Sequence, residues 1–533
     1  MAKAFCSRTI PLMRRRSWVW LAGSAFLLVA ILAPYLAAWQ AQPPGFSFTG
    51  FLLNPVDGFS YLAKMRQGAG GSWLFRLPYA AEPGQGTLLF VYYVLLGHVQ
   101  RLLGASPLIV LHGARLAGVV LMIVAAFVFY RATLPEAARR WALVLAVLGS
   151  GLGWLGVALG RLSIDLWVPE AFPFLSALAS AHFPLALAGM LTALSAMSGV
   201  AMKPALRLGG AGLAGLVLGA VQPFGVVVVT ATILLWAAWL RLRPVELRRP
   251  MNDGQRLVAG AVFVAVAAPW LVYDFWVTRQ DPALAAWSAQ NLTPTPPLVD
   301  VALGLGVALV LALLSIFLTD ARRSEGGRLL ICWLAVGVML AFAPIGLQRR
   351  MLLGIFFPIA GLAALVLTDL ASQGNARRWA AYALFVLCLP SDFVVLAATL
   401  GAALTQQPDL VMTAGERASY AWIADHLPSG SLVLAGDVTG NRLPAFADVR
   451  VRYGHPFETP HADQERAWIE AAFASRAPVS KVLADIADHG IDYVYVGPRE
   501  RSLAGSATNP EWLTGLIPIY QAEGVSVYGV PHP

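Results

Sequence analysis

Charge is scarce in this chain: Asp, Glu, Lys and Arg make up 13% of its 533 residues, against about 25% in soluble globular proteins. With 58% hydrophobic residues and a mean hydropathy of +0.66, that shortage excludes an ordinary soluble protein and predicts a polytopic membrane protein. Cysteine is scarcer still. Cys6, Cys332 and Cys388 stand alone, so neither a disulfide framework nor a cysteine metal site is indicated. The chain has no Walker A loop, GxGxxG fingerprint, HExxH or GxSxG, which leaves ATP-driven and dehydrogenase readings without support. No internal repeat is apparent, and no two histidines form an i,i+4 ligand pair on one helix, so no histidine metal site is expected; no cofactor is indicated, and a divalent metal is left open. The net charge of +9 does not signal nucleic acid, because the basic residues fall in short clusters between apolar runs, the pattern that orients membrane helices.

A helix needs about 20 apolar residues to cross the hydrocarbon. By that measure eleven spans are expected, at 18-39, 108-130, 141-160, 183-201, 208-222, 224-240, 256-276, 299-318, 329-346, 351-371 and 379-402. QPFG at Gln222 to Gly225 either divides 208-240 into two helices or kinks one long one. The first span follows Arg14, Arg15 and Arg16 and exceeds the roughly 7 to 15 residues of a signal-peptide core, so it reads as a retained anchor. Clusters at Arg131, Arg139 and Arg140, at Lys203 and Arg207, at Arg241 to Arg256 (including Arg248 and Arg249), at Arg322 to Arg328 and at Arg377 and Arg378 fall in alternate loops. Those loops are expected to be cytoplasmic. The chain then sits in the plasma (inner) membrane with its amino end inside and its carboxyl end outside.

Thr87 to Leu103 is apolar but interrupted by His98, Gln100 and Arg101, which predicts a helix along the outer surface rather than a span. After about residue 405 the composition becomes that of a soluble α/β domain, with strands expected at SLVLAG, VRVRYG, IDYVYVG and VSVYGV and helices around 414–426 and 463–488. The division is therefore a helical membrane domain, 1-404, with an outer loop at 40-107, and an extracytoplasmic α/β domain, 405-533.

From Ser17 to Val56 there is no Asp, Glu, Lys or Arg, so the first charge past the opening span is Asp57, in NPVDGFSYLAKMRQG. An aspartate partly desolvated at a membrane surface suits removal of a proton from a hydroxyl; the plain alternative is a helix cap. Asp165 and Glu170 share a short outer loop, RLSIDLWVPEAFPF, and are candidates for a second acid. Glu82, in YAAEPGQG, is a third outer acid, and His182 lies close to the apolar outer surface. Arg349 and Arg350, in IGLQRRMLLG, break the positive-inside trend, and guanidinium matches phosphate oxygens; with Lys64 or Arg66 they are candidates for holding a phosphate. The segment 281–297 is long and polar enough to act as a lid. His455, Glu458 and Thr459, in RYGHPFETP, look like polar groups at a strand end.

The order of these parts resembles the GT-C superfamily of membrane glycosyltransferases, most closely the protein O-mannosyltransferase and aminoarabinose-transferase branch. The likeness is carried by VDGFSYLAKM at Asp57 and EPGQGTLLFVYYVLLGHVQRLLGASPLIVLHGARLAG from Glu82 to Gly118. It covers the first 130 residues and elsewhere only the topology. The chain also looks like uncharacterised bacterial proteins with DLWVPEAFPF and QRR. The resemblance implies transfer of a sugar from a polyprenyl-phosphate donor to an acceptor at the outer face, with Asp57 as base. Members of that branch carry Asp-Glu in the first loop, whereas Gly58 follows Asp57 here, so Asp165 or Glu170 would have to supply the second acid. Two rivals belong to other classes: a transporter or flippase of a lipid-linked substrate, which needs ionisable groups at mid-span and finds only Asp274 and Asp392, and a non-catalytic assembly protein.

Overall fold

A computed structural model describes residues 11–198, 202–243, 253–505 and 509–531; Cys6, Arg248 and Arg249 lie outside them. Helix occupies each of the eleven ranges expected to span. Among the described residues, eight helical segments are long and apolar enough to cross a membrane, while Ala25–Gln40 and His182–Met197 are apolar but shorter and Glu325–Ala341 has 17 residues. The chain is a multi-pass membrane protein. The region 208–240 is two helices, Pro204–Val221 and Phe224–Leu242, because Gln222 leaves the helical region at φ −152°, ψ 79° and Pro223 cannot continue the amide ladder.

Two of the expected spans are broken inside the bundle. Glu136–Leu148 gives way to Gly153–Ala158, and Asn375–Val386 to Pro390–Leu404. Between them Leu298–Leu318 is kinked at Gly306, whose φ of 48° and ψ of −140° suit only glycine. Backbone freed at membrane depth must find partners within the protein. Here the Leu152 amide donates to the Leu303 carbonyl at 2.7 Å and the Ser150 amide to the Cys388 carbonyl at 2.6 Å. Asp392, expected near a helix end, does lie in the first turn of its helix, but that helix start is one of the internal breaks and the residue is buried.

Among the described residues, seven strands form two sheets. β1 (Phe46–Phe48) pairs antiparallel with β2 (Val411–Thr413), stitching the stretch after the first helix to the start of the carboxyl-terminal part. β3 (Ser431–Leu434), β4 (Val449–Val451), β5 (Tyr493–Val496), β6 (Ile517–Ala522) and β7 (Val525–Gly529) make one sheet in the order β4-β3-β5-β7-β6. β3 runs parallel to β4 and β5, whereas β7 is antiparallel to β5 and β6. The four strings expected as strands are β3, β4, β5 and β7. β6 was not expected, since it contains Pro518, which an edge strand tolerates; it joins β7 through Glu523 and Gly524, both at positive φ, as a tight hairpin turn requires. The helix at Ala414–His426 carries a capping box between Thr413 and Glu416, and the expected helix at 463–488 is two, Ala462–Phe473 and Val479–Asp488.

One apolar cluster runs from Phe51, Phe59, Met65 and Tyr93 to Met412, Tyr420, Val433 and Val527, so the sheet and the segments flanking Asp57 share a core. The helix Pro55–Ala69 crosses Val91–Leu103, the expected surface helix, at Gly68 and Gly97. A Cβ on either glycine would enter the partner's backbone at Val94 or Met65, so this close crossing depends on both.

Candidate active site

Asn54 turns the chain with φ 48° and Pro55 opens the helix Pro55–Ala69, which puts Asp57 in its first turn. The cap position belongs to Asn54, and the Asp57 side chain points elsewhere: it is 43% exposed and its Oδ1 lies 2.9 Å from His455 Nε2. Tyr61 and Lys64 follow at i+4 and i+7 on the same face. Gly58 accounts for the missing Asp-Glu pair, because a Cβ there would enter the ring of Phe51.

His455 arrives from the segment after β4. Its loop closes on itself: Thr459 N–H donates to the His455 carbonyl at 3.0 Å, and Thr459 Oγ1 accepts from the Gly454 and His455 amides, each at 3.2 Å. Three residues on, both oxygens of Glu458 accept from Lys64 Nζ at 2.8 Å, and Ser60 Oγ donates to Oε1 at 2.7 Å. Lys64 is 1% exposed and its ammonium lies 4.2 Å from the centroid of Phe90. Lys64 is therefore fully engaged by Glu458, which corrects the expectation that it holds a substrate phosphate. Burial opposes ionisation of Asp57, but the hydrogen bond from His455 and the charge of Lys64 outweigh it and hold the carboxyl below the usual carboxylate range.

The wall beside Asp57 is aromatic. Tyr61 and Tyr93 stack with centroids 4.3 Å apart, Tyr93 Oη lies 2.7 Å from His182 Nδ1, and His182 meets Tyr61 edge-on. Burial and then the negative charges of Asp57 and Glu458 push the Tyr61 phenol well above its ordinary value, while Arg350 acts the other way. Arg350 and Glu170 are thus within electrostatic reach of the same ring as Asp57.

The guanidiniums stand on the short turn Arg349–Leu352. Arg349 Nη2 lies 3.7 Å from Glu170 Oε1 and its guanidinium is 5.0 Å from the Trp167 centroid. Arg350 Nη2 donates to Asn291 Oδ1 at 3.4 Å. The Nε atoms of both arginines and Glu170 Oε2 are buried with no hydrogen-bond partner. Such groups are costly to bury, and together they form a polar set with unfilled capacity.

The structure therefore places Asp57 and His182 beside Tyr61 and Glu170 beside Arg349, with Arg350 and Glu170 within electrostatic reach of the Tyr61 phenol. Asp165 is not among them. It is 0% exposed, and its Oδ2 accepts from the Gly151 and Gly153 amides at 3.0 Å each while Ser163 Oγ donates to Oδ1. A carboxylate so occupied serves the helix break at 149–152, which corrects its assignment as second acid. Glu82 is exposed on its loop and does not join these groups. The acid that does join the Asp57 helix is Glu458, which together with His455 lies almost 400 positions away in sequence; the polar GHPFET string after a strand was the available signal. The segment 281–297 is ordered as a helix, Pro282–Gln290, capped by Asp281, which also accepts from the Gln85 amide at 2.9 Å; Gln290 Nε2 donates to the Thr459 carbonyl. Among the described residues no three His, Cys, Asp or Glu side chains converge as metal ligands would.

This architecture shares its fold with solved structures of an oligosaccharyltransferase and of ArnT. The chain is similar to the apo oligosaccharyltransferase of Archaeoglobus fulgidus, with 14% identity over 96% of this chain and 74% of that one and a TM-score of 0.55. It is also similar to ArnT of Cupriavidus metallidurans bound to undecaprenyl phosphate, with 13% identity, 97% and 98% coverage and a TM-score of 0.51. A third likeness is to the archaeal oligosaccharyltransferase AglB of A. fulgidus with an inhibitory peptide and a dolichol-phosphate, at 13% identity, 95% and 74% coverage and a TM-score of 0.51. Residues 360–527 match the model of a family of unknown function, DUF6541. No curated protein matches this sequence.

Proposed function

We propose that the chain is a glycosyltransferase that moves a sugar from a polyprenyl-phosphate donor to an acceptor hydroxyl at the extracytoplasmic face of the membrane. The observation that carries this reading is the Asp57 carboxylate, 43% exposed and tethered through one oxygen by His455, in a fold shared with membrane glycosyltransferases and with the Arg350 guanidinium within its electrostatic reach. The lipid phosphates in the ArnT and AglB structures add support for the donor class. Asp57 takes the acceptor proton; the acceptor oxygen attacks the anomeric carbon as the sugar–phosphate bond breaks, inverting that centre; Arg349 and Arg350, each with a buried unpartnered Nε, stabilise the charge on the departing polyprenyl phosphate. Glu170 positions Arg349, and the proton leaves Asp57 to solvent. No step is assigned to a metal. The same reading puts the Asp57 side of the bundle and the sheet outside the cell, as the alternation of basic loops requires.

The test is transfer from a panel of undecaprenyl-phosphate-linked sugars by folded Asp57→Asn protein in proteoliposomes. Turnover is expected to fall by about 10² to 10⁴, the scale of a lost general base. Wild-type turnover would remove Asp57 from the chemistry, and movement of the lipid across the bilayer without transfer would support the flippase instead.

A further inference from the structure

His455 Nδ1 accepts two backbone hydrogen bonds, from the Phe457 amide at 3.1 Å and the Glu458 amide at 3.2 Å. A nitrogen that accepts two N–H groups carries no proton, so in the neutral ring the proton is on Nε2. That N–H points at Asp57 Oδ1, 2.9 Å away. Its side chain is 3% exposed and the ring is flanked by Tyr79 and Phe457 at centroid distances of 6.1 and 6.2 Å. A proton on Nδ1 would set it donor against donor with the Phe457 and Glu458 amides, and a ring flip would put carbon in place of both nitrogens. The contact is therefore a hydrogen bond from a neutral ring, and not an ion pair.

We propose that His455 is the positioning residue of Asp57: a neutral imidazole, fixed as the Nε2–H tautomer by its own loop, holds one carboxylate oxygen so that the other faces the acceptor. This rests on the reading of Asp57 as base. The arrangement differs from a relay in which histidine takes the proton. Here Nε2 already carries one and Nδ1 is covered by amides, so the proton from the acceptor hydroxyl stays on Asp57 until solvent removes it. The two elements of the site, a helix just after the first membrane segment and a loop after β4, become competent only when the sheet is docked. Lys64–Glu458 secures that docking at the next turn of the same helix.

The titratable and charged groups that surround Asp57 are Lys64 and Tyr61 on its own helix, Glu458 and His455 on the loop, His182 at the start of its helix, Tyr79 on the segment after the Asp57 helix, and Arg350 on its turn. Of these only His455 hydrogen-bonds the carboxylate. Its removal is therefore expected to move the acid limb of kcat/KM to higher pH. In His455→Ala, kcat is expected to fall about tenfold to a hundredfold, the scale of a catalytic group misplaced by about 1 Å, with donor KM unchanged. His455→Gln, which keeps a donor, should recover part of it.

Nitrogen-15 histidine spectra of the whole protein in nanodiscs, with His455 assigned by difference from His455→Gln, give a readout independent of turnover. The expected spectrum has Nδ1 unprotonated and Nε2 protonated at the pH at which transfer is assayed. An imidazolium, or a proton on Nδ1, would overturn the proposal. So would an unmoved acid limb in folded His455→Ala when Asp57→Asn is inactive. If Asp57→Asn retains full transfer, the base reading fails by itself, and the spectra still decide the tautomer.

Discussion

Replacing Glu458 by Ala removes the partner of a lysine that has nowhere to go. Lys64 is 1% exposed and Glu458 12%, so solvent does little to screen the pair, and three charge-assisted contacts end on one carboxylate. Counted singly these are worth about 1.5–3 kcal/mol each, but they share one acceptor and do not add. Breaking a buried pair by removing one partner costs about 3–5 kcal/mol. Since the pair fastens the 455–459 loop to the Asp57 helix, the cost falls on loop docking, and the open fraction should rise by roughly two to three and a half powers of ten. Hydrogen exchange at Gly454, His455, Phe457, Glu458 and Thr459, whose amides are all bonded within the loop, reads this directly. Glu458→Ala should exchange about a hundredfold faster or more, whereas Lys64→Met with Glu458→Leu, which removes both charges, should approach wild type. Wild-type exchange in the single variant, or equal opening in single and double, would refute the argument. Acid tests the same pair. Burial opposes the charge on Glu458, but the charge and hydrogen bond of Lys64 and the hydrogen bond from Ser60 hold its pKa below the ordinary 4.5; the stabilisation is present above that value and is lost as pH falls through the lowered folded-state value.

Asp165→Asn should lower thermal stability by about 1–3 kcal/mol, the cost of leaving buried donors poorly matched, with turnover per folded molecule unchanged; normal melting with lost turnover would return Asp165 to the chemistry. Gly97→Ala pushes a methyl into the Met65 carbonyl and should cost about 1–3 kcal/mol as overpacking, seen as a lower melting midpoint, while Ala at the exposed Gly104, which has open space but φ 60°, should cost less. Arg350→Ala should raise donor KM by about tenfold to a hundredfold, the worth of a hydrogen bond to a charged group, with partial recovery in Arg350→Lys; an unchanged donor KM would remove Arg350 from phosphate binding.

The helices were legible because their signal is local. An apolar run of membrane length announces itself, and so do four of the five strands of the main sheet, short runs rich in Val, Leu and Tyr that end near a glycine. Asp57, Arg349 and Arg350 were legible for a related reason: each is a charge where the surrounding pattern predicts none. Asp165 and Lys64 satisfied the same test and proved to be engaged elsewhere, because a charge out of pattern can equally be a buried structural partner. Only its neighbours tell the two apart.

Sequence by itself determined that this chain lives in a membrane, roughly where its helices lie, and that an acid stands just after the first of them. The tertiary structure alone decided that His455 and Glu458 meet Asp57 and Lys64, that Asp165 seals a helix break, and that Glu170 faces Arg349. Hydropathy is a sum over adjacent residues and can be read along the chain. Hydrogen bonds and ion pairs join atoms within about 3 Å whatever their separation in sequence, and nothing in residues 54–66 records what a loop some 400 positions later will bring.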